Sequence, residues 1–222
     1  MLHDALLIAG KDLRLEARSK VATSQVLPFV LAVVLIFGFA LDAESRTLQR
    51  VASGLFWTTV LFAAVLMVQR TFAIERADGV TDALRMSGLA PGGIFLGKTA
   101  ALFVQVLAVE IVLGLAIVIF YDVTPTGVAL LCVTAILGAL AISAAGALYG
   151  PLVSGARHRD TLLPLLLLPV LAPVLLGGAR AFEIALGHGV GSGWQWAAML
   201  GIVSGVYLAL GIAVWGPLLE DA

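Results

Sequence analysis

Six runs of about 20 mostly apolar residues, separated by short charged stretches, dominate this sequence. A helix of about 20 residues crosses the roughly 30 Å hydrocarbon core of a bilayer, so each run predicts one membrane span. The predicted spans cover about residues 23–41, 51–68, 99–121, 126–150, 162–179 and 196–218. The fifth contains Pro164, Pro169 and Pro173, each of which removes an amide donor, so a kink or a division into half-helices is expected there. The sequence therefore predicts an all-α integral membrane protein with a single transmembrane domain over residues 1–222.

Composition excludes the soluble alternatives. Apolar residues make up 61% of the 222 residues and charged residues only 12%, whereas ordinary globular proteins hold about 45–50% and about 25%. The net charge of −1 gives no basic field of the kind that binds nucleic acid. We find no nucleophile–base pair and no metal-spaced cluster, so we expect neither an enzyme nor a metal site, and no cofactor bound by this chain.

The distribution of the cations predicts an orientation. Ten of the 13 fall on the side of the N-terminus, in the first 20 residues, between spans two and three, and between spans four and five. Only Arg46, Arg50 and Arg180 fall on the opposite side. Cytoplasmic loops carry the excess of Lys and Arg, so both termini are predicted to be cytoplasmic.

The segment before the first span has the pattern of an amphipathic helix. Leu6, Leu7, Leu13 and Leu15 alternate with charged residues in the first 20 positions. Such a helix can lie in the membrane interface with its cations toward anionic headgroups, and contact with a partner protein is the alternative.

The stretch 70–98, between spans two and three, combines charged residues with an apolar edge. The charges are Glu75, Arg76, Asp78, Asp82 and Arg85, and the apolar neighbours are Val80, Ala83, Leu84 and Met86, with Gly88 and Pro91 as helix breakers. This pattern predicts a short helix outside the membrane, able to dock into a groove of another protein.

Residues 92–99, Gly-Gly-Ile-Phe-Leu-Gly-Lys-Thr, satisfy the phosphate-loop pattern GxxxxGK[ST]. That chemistry needs a preceding strand and a surrounding sheet, whereas a membrane span follows here. We therefore expect no nucleotide site, and expect Lys98 to mark the inner membrane boundary with its side chain reaching lipid phosphates.

Glu110 lies near the middle of the third span, where a charge is costly. Two interpretations stay open. The carboxyl group lines an interface or a substrate route, or it joins two helices through a hydrogen bond to Ser143 or Thr134.

The 70–98 stretch resembles the loop of type-2 ATP-binding-cassette exporter permeases through Glu75-Arg76-x-x-Gly79, Leu84, Pro91 and Gly97-Lys98. Within that superfamily the chain is similar to the haem exporter protein B (CcmB) family. The closer match lies in two blocks of residues. They are Arg50, Gly54, Trp57, Arg70, Phe72, Asp78, Gly79, Leu84, Pro91 and Lys98, then Arg157 followed by the proline-rich run of Pro164, Pro169 and Pro173.

The resemblance implies a six-span permease of the bacterial inner membrane. Its coupling helix would rest on a separate ATP-binding-cassette ATPase subunit, which would hydrolyse the ATP. It implies a homodimer, haem-handling membrane partners of cytochrome c maturation, and either haem export or ATP-driven release of a haem-loaded chaperone. An exporter of a drug, lipid or polysaccharide is one alternative, and a non-transport membrane scaffold is another.

Overall fold

The computed structural model describes residues 1–19, 22–41, 45–77, 80–154 and 159–221, and every regular element in this part of the chain is a helix. A π-helical segment, Ala22–Val26, leads into the second α-helix. The α-helices are α1 Leu2–Ser19, α2 Leu27–Ala40, α3 Ser45–Ala77, α4 Val80–Met86, α5 Pro91–Tyr121, α6 Val128–Ser154, α7 Arg159–Ala185 and α8 Trp194–Asp221. The predicted all-α class is confirmed.

Five of these helices contain a segment long and apolar enough to cross a membrane. The segments are Thr47–Glu75, Pro91–Tyr121, Val128–Leu152, Leu162–Ala185 and Trp194–Leu218. The first predicted span, 23–41, corresponds to a shorter apolar helix, Ser24–Ala40. The chain is a multi-pass membrane protein.

The helices on either side of the predicted 70–98 loop are longer than expected. Helix α3 continues past residue 68 to Ala77, and α5 begins at Pro91. Proline suits the first turn of a helix because its missing amide would have no partner there and its φ is already helical. The coupling loop predicted over 70–98 is therefore shorter than expected, because residues 70–77 belong to α3 and residues 91–98 to α5.

The proline-rich fifth predicted span forms one helix, α7, with Pro164, Pro169 and Pro173 inside it. Division into half-helices is therefore not observed. Near the third proline, Tyr207 of α8 donates a hydrogen bond to the Val170 carbonyl oxygen. This bond connects α8 to α7 one residue after Pro169, whose own carbonyl is the one that Pro173 leaves without a helical donor.

Glycines allow the helices to approach closely around large side chains. The Trp57 indole of α3 lies against Gly138 of α6 and Gly178 of α7, where an added Cβ would come within 2.1 and 2.3 Å of the ring. Phe72 lies against Gly150 in the same way, with its ring 2.0 Å from an added Cβ. The small residues of the sequence therefore serve close helix packing in the core.

Candidate functional site

The glycines of the phosphate-loop pattern form the surface against which helix α1 packs. They belong to the first turns of α5, and a Cβ added at Gly97 would lie 2.6 Å from the Ile8 Cβ and 2.7 Å from the Ala5 carbonyl oxygen. A Cβ added at Gly93 would lie 2.9 Å from the Asp4 Cβ. A Gly-x-x-x-Gly spacing puts both glycines on one helix face, so α1 can lie directly on the α5 backbone. The pattern therefore serves helix packing, in helical backbone and not in a loop.

Two charges predicted to be exposed are buried together beneath α1. Lys98 of α5 is 3% exposed and Glu75 of α3 is 4% exposed, and the Lys98 Nζ contacts the Glu75 Oε1. The Lys98 Nζ also lies 5.3 Å from the centre of the Phe72 ring. The prediction that Lys98 extends to lipid phosphates is wrong, and Glu75 does not present its carboxylate to a partner protein. Packing keeps both charges from water, so the cost of burying each one is offset only by its pairing with the other.

Helix α1 completes this cluster with one residue of each sign. The Lys11 Nζ lies 2.8 Å from the Asp12 Oδ1 and 3.6 Å from the Glu75 Oε1, and the Asp12 Oδ2 lies 3.9 Å from the Lys98 Nζ. We call Lys11, Asp12, Glu75 and Lys98 the ionic junction. Two positive and two negative side chains make it neutral, and it connects α1, α3 and α5 just before the chain enters α4.

The short helix predicted outside the membrane is present as α4. Its Leu84 is buried, at 8% exposed, whereas Met86 is 82% exposed. The Ser87 hydroxyl donates to the Leu84 carbonyl oxygen at 2.7 Å, and Gly88 follows with φ of +67°, a value that favours glycine. The helix is therefore anchored on one side and presents an apolar residue on the other.

The remaining residues of the predicted coupling region are divided among three places. Arg70, which is exposed, and Arg76 lie in the last turns of α3, while Asp82 and Arg85 lie in α4. Pro91 is in the first turn of α5. Asp78, Gly79 and the more distant Arg157 lie outside the described residues.

The start of α5 is held by the N-terminal helix. The Ala90 amide donates a hydrogen bond of 3.3 Å to the Asp4 Oδ2, and the terminal amino group of Met1 lies 3.3 Å from the same oxygen. The Ala90 amide, and to a lesser extent the terminal amino group, lower the pKa of Asp4 below its usual value of 3.8. Asp4 thus acts as a helix cap supplied by another helix.

Glu110 is 3% exposed within α5. In the part of the chain that the structure describes, neither carboxyl oxygen of Glu110 has a hydrogen-bond partner, nor has the hydroxyl of Thr134 or Ser143. The predicted bond from Glu110 to Ser143 or Thr134 is therefore not observed. A buried polar group without a partner is costly, which favours a role other than joining two helices.

The family-like residues at the start of α3 have different surroundings. Trp57 is buried in the core, Arg50 is exposed, and an added Cβ at Gly54 would meet no atom within 4 Å. Among the described residues, no group of three or more His, Cys, Asp or Glu side chains could hold a metal ion.

The packing of α1 against α5 and its part in the ionic junction were not predicted from the sequence. Met1, Ala5, Ile8 and Asp12 recur at spacings of three and four residues, which puts them on one helix face. In the sequence, the aspartate on that otherwise apolar face, with Lys11 beside it, could have indicated that α1 carries a buried charge with an oppositely charged partner.

The five long apolar helices, the closely packed α1 and the ionic junction at one end define a polytopic helical membrane protein. Residues 3–215 match the family described as CcmB protein, and the chain belongs to that family.

Curated relatives agree with this assignment. "Heme exporter protein B" of Paracoccus denitrificans is 33% identical over 184 residues, which cover 80% of each chain. The protein of the same name from Rhodobacter capsulatus is 31% identical over 174 residues, covering 78% of this chain and 79% of the relative. That from Pseudomonas aeruginosa is 29% identical over 180 residues, or 81% of each chain.

Proposed function

We propose that this chain is the transmembrane permease subunit of an ATP-binding-cassette transporter complex that acts in haem export, or in release of a haem-loaded chaperone, for c-type cytochrome biogenesis. The observation that carries the proposal is the match of residues 3–215 to the CcmB family. The relatives' name, heme exporter protein B, supplies the haem-related process.

We propose further that the chain crosses the bacterial inner membrane six times, with both termini in the cytoplasm. The first of these spans is the apolar helix Ser24–Ala40, which joins the five longer ones. Its 17 residues, which include the last part of the π-helical segment, rise about 26 Å, close to the roughly 30 Å hydrocarbon core. An even number of spans and the excess of Lys and Arg on the N-terminal side support this orientation.

In this proposal α4 is the coupling helix that rests on the separate ATPase subunit. An exposed methionine beside an anchored leucine is suited to a groove on another protein, because Met is flexible and apolar. Closure of the ATPase around nucleotide would push on α4. The ionic junction would pass that movement to α3 and α5 together, because buried paired charges resist separation.

The partners follow from the same assignment. The permease forms a homodimer, binds two ATPase subunits, and works with haem-handling membrane proteins. ATP is bound by the ATPase, and this chain holds no cofactor of its own. The sequence places its three histidines, His3, His158 and His188, outside the five long spans, which favours release of a haem-loaded chaperone over passage of haem through this subunit. Glu110, which is buried with no hydrogen-bond partner among the described residues, is the intramembrane residue assigned to function.

Deletion of the chain tests the function. We expect loss of covalently bound haem from all c-type cytochromes, seen by haem staining of membrane proteins, and restoration by the plasmid-borne chain. Full haem staining in the deletion strain would show that the chain acts elsewhere.

The coupling role of α4 is tested by Met86→Glu, with Met86→Leu as the matched control. Because Met86 is 82% exposed, a charge there leaves the fold intact but disturbs an apolar contact with the ATPase. We expect Met86→Glu to lose co-purification with the ATPase and c-type haem, and Met86→Leu to keep both. Equal behaviour of the two variants would contradict the assignment of α4.

A further inference from the structure

A groove that none of these roles uses lies between α2, α3 and α7. Its volume is about 770 Å³, within the roughly 300–1,000 Å³ of pockets that hold small organic molecules. Phe29, Phe37, Phe62 and Leu176 are among its apolar walls, and Gly54 lies on its floor with open space where a Cβ would be. The groove is therefore an open apolar channel that faces the surroundings of the bundle.

One end of the groove is cationic. Among the described residues that line it, Arg50, Arg180 and Glu183 are charged and the others are uncharged. The Arg180 Nη1 lies 2.9 Å from the Glu183 Oε2, while the exposed Arg50 forms no ion pair within the described part of the chain. Two guanidinium groups and one carboxylate leave a net charge of +1. The chemistry that fits is an apolar chain attached to an anion.

The length of the groove matches one leaflet of a bilayer. Arg50 and Phe62 line it from the same helix and are twelve residues apart, which corresponds to about 18 Å of helix. Half of the roughly 30 Å hydrocarbon core is about 15 Å. A molecule with its charged group beside Arg50 would therefore place its tail along the groove as far as the middle of the membrane.

We infer that the groove binds an anionic phospholipid, with its phosphate at Arg50 and Arg180 and one acyl chain between α2, α3 and α7. Haem would need an axial ligand, and the lining residues within the described part of the chain include no His, Cys, Met or Tyr. The binding chemistry does not depend on the proposed function. Only the assignment of the cationic end to the outer leaflet rests on the proposed orientation.

The test is titration of phosphatidylglycerol or phosphatidylethanolamine into the delipidated full chain in detergent, with bound lipid counted by native mass spectrometry. We expect one tightly bound phosphatidylglycerol and weaker binding of phosphatidylethanolamine. Arg50→Gln and Arg180→Gln should each weaken phosphatidylglycerol binding about five-fold, the change that corresponds to about 1 kcal/mol per cation at a lipid surface. Gly54→Leu should weaken binding of both lipids because its side chain fills the channel.

Gly205→Leu is the matched control, since Gly205 is an exposed helical glycine whose added Cβ also meets no atom within 4 Å. Arg70→Gln is the control for charge. Thr58→Trp, on the exposed lining of α3, fills the groove by a second route should Gly54→Leu not fold.

Three results would overturn the inference. They are unchanged lipid binding in both filling variants, equal affinity for the two lipids, and disulfide cross-linking of Thr58→Cys chains in membranes, which would show that a second copy covers the groove. A fourth such result is displacement of the lipid by haem, which would assign the groove to haem.

Discussion

Replacing Lys98 tests the ionic junction most directly. Lys98→Met leaves Glu75 and Asp12 buried with only Lys11, whose side chain is 34% exposed, to balance them. Removing one partner of a buried ion pair costs about 3–5 kcal/mol of unfolding free energy. Glu75→Gln is milder, because Lys98 keeps a carboxylate oxygen of Asp12 at 3.9 Å. We expect it to cost about 1–3 kcal/mol, the usual penalty for one lost buried polar contact.

Thermal unfolding in detergent micelles, followed by far-ultraviolet circular dichroism, measures this difference. For a chain of this size each 1 kcal/mol lowers Tm by about 2–4 °C, so Lys98→Met should lower it by roughly 6–20 °C. The double variant Glu75→Leu/Lys98→Met should recover most of the loss, because apolar residues of similar volume often replace a buried ion pair at little cost. A Tm for Lys98→Met within 2 °C of the unmodified chain, or a larger drop for Glu75→Gln, would refute the reasoning.

Three further predictions follow from the contacts of α1 and α5. Gly97→Leu should displace α1, because a Cβ at residue 97 would lie within 3 Å of that helix. Trypsin should then cut α1 faster. Gly10→Leu is the control, since an added Cβ there has open space, and it should behave as the unmodified chain. The hydrogen bond from the Ala90 amide lowers the pKa of Asp4 below its unfolded value of 3.8, so the stabilisation of the start of α5 is complete above that value and is lost as pH falls through the lowered pKa. Protease cutting of α1 should therefore increase as the pH falls below 3.8, and Asp4→Asn should remove that dependence. Glu110→Met should raise Tm, because it removes a buried carboxyl group that has no hydrogen-bond partner among the described residues, and Glu110→Gln should leave expression near normal. Both variants should nevertheless lower the amount of c-type haem. Normal c-type haem in both would remove Glu110 from the functional residues.

Hydropathy predicted the helical class and five of the span positions because a bilayer imposes a one-dimensional rule on length and polarity. The ends of the helices were harder to predict from the sequence. Charged residues were taken to lie in water, and so Glu75 and Lys98 were placed in a loop. The structure shows that both residues belong to long helices and are buried, where each charge neutralises the other.

The role of the glycines of α5 could not be predicted from the sequence either. Their spacing satisfies a nucleotide-binding pattern and a helix-packing pattern equally well. The apolar run that follows excluded the nucleotide-binding interpretation, but no neighbouring residue in the sequence identified α1 as the helix that packs on these glycines. That contact joins residues about 90 positions apart, as Ile8 and Gly97 do.

The sequence by itself determined that the chain enters a membrane, which residues are scarce and charged, and which family its motifs resemble. Those properties depend on composition and on order along the chain. The tertiary structure alone decided which charges meet, that α1 belongs to the bundle through the ionic junction, and that Arg50, Gly54 and Arg180 line one groove. The energy of a buried charge depends on what lies within a few ångströms of it, and that distance is set by folding and not by sequence separation.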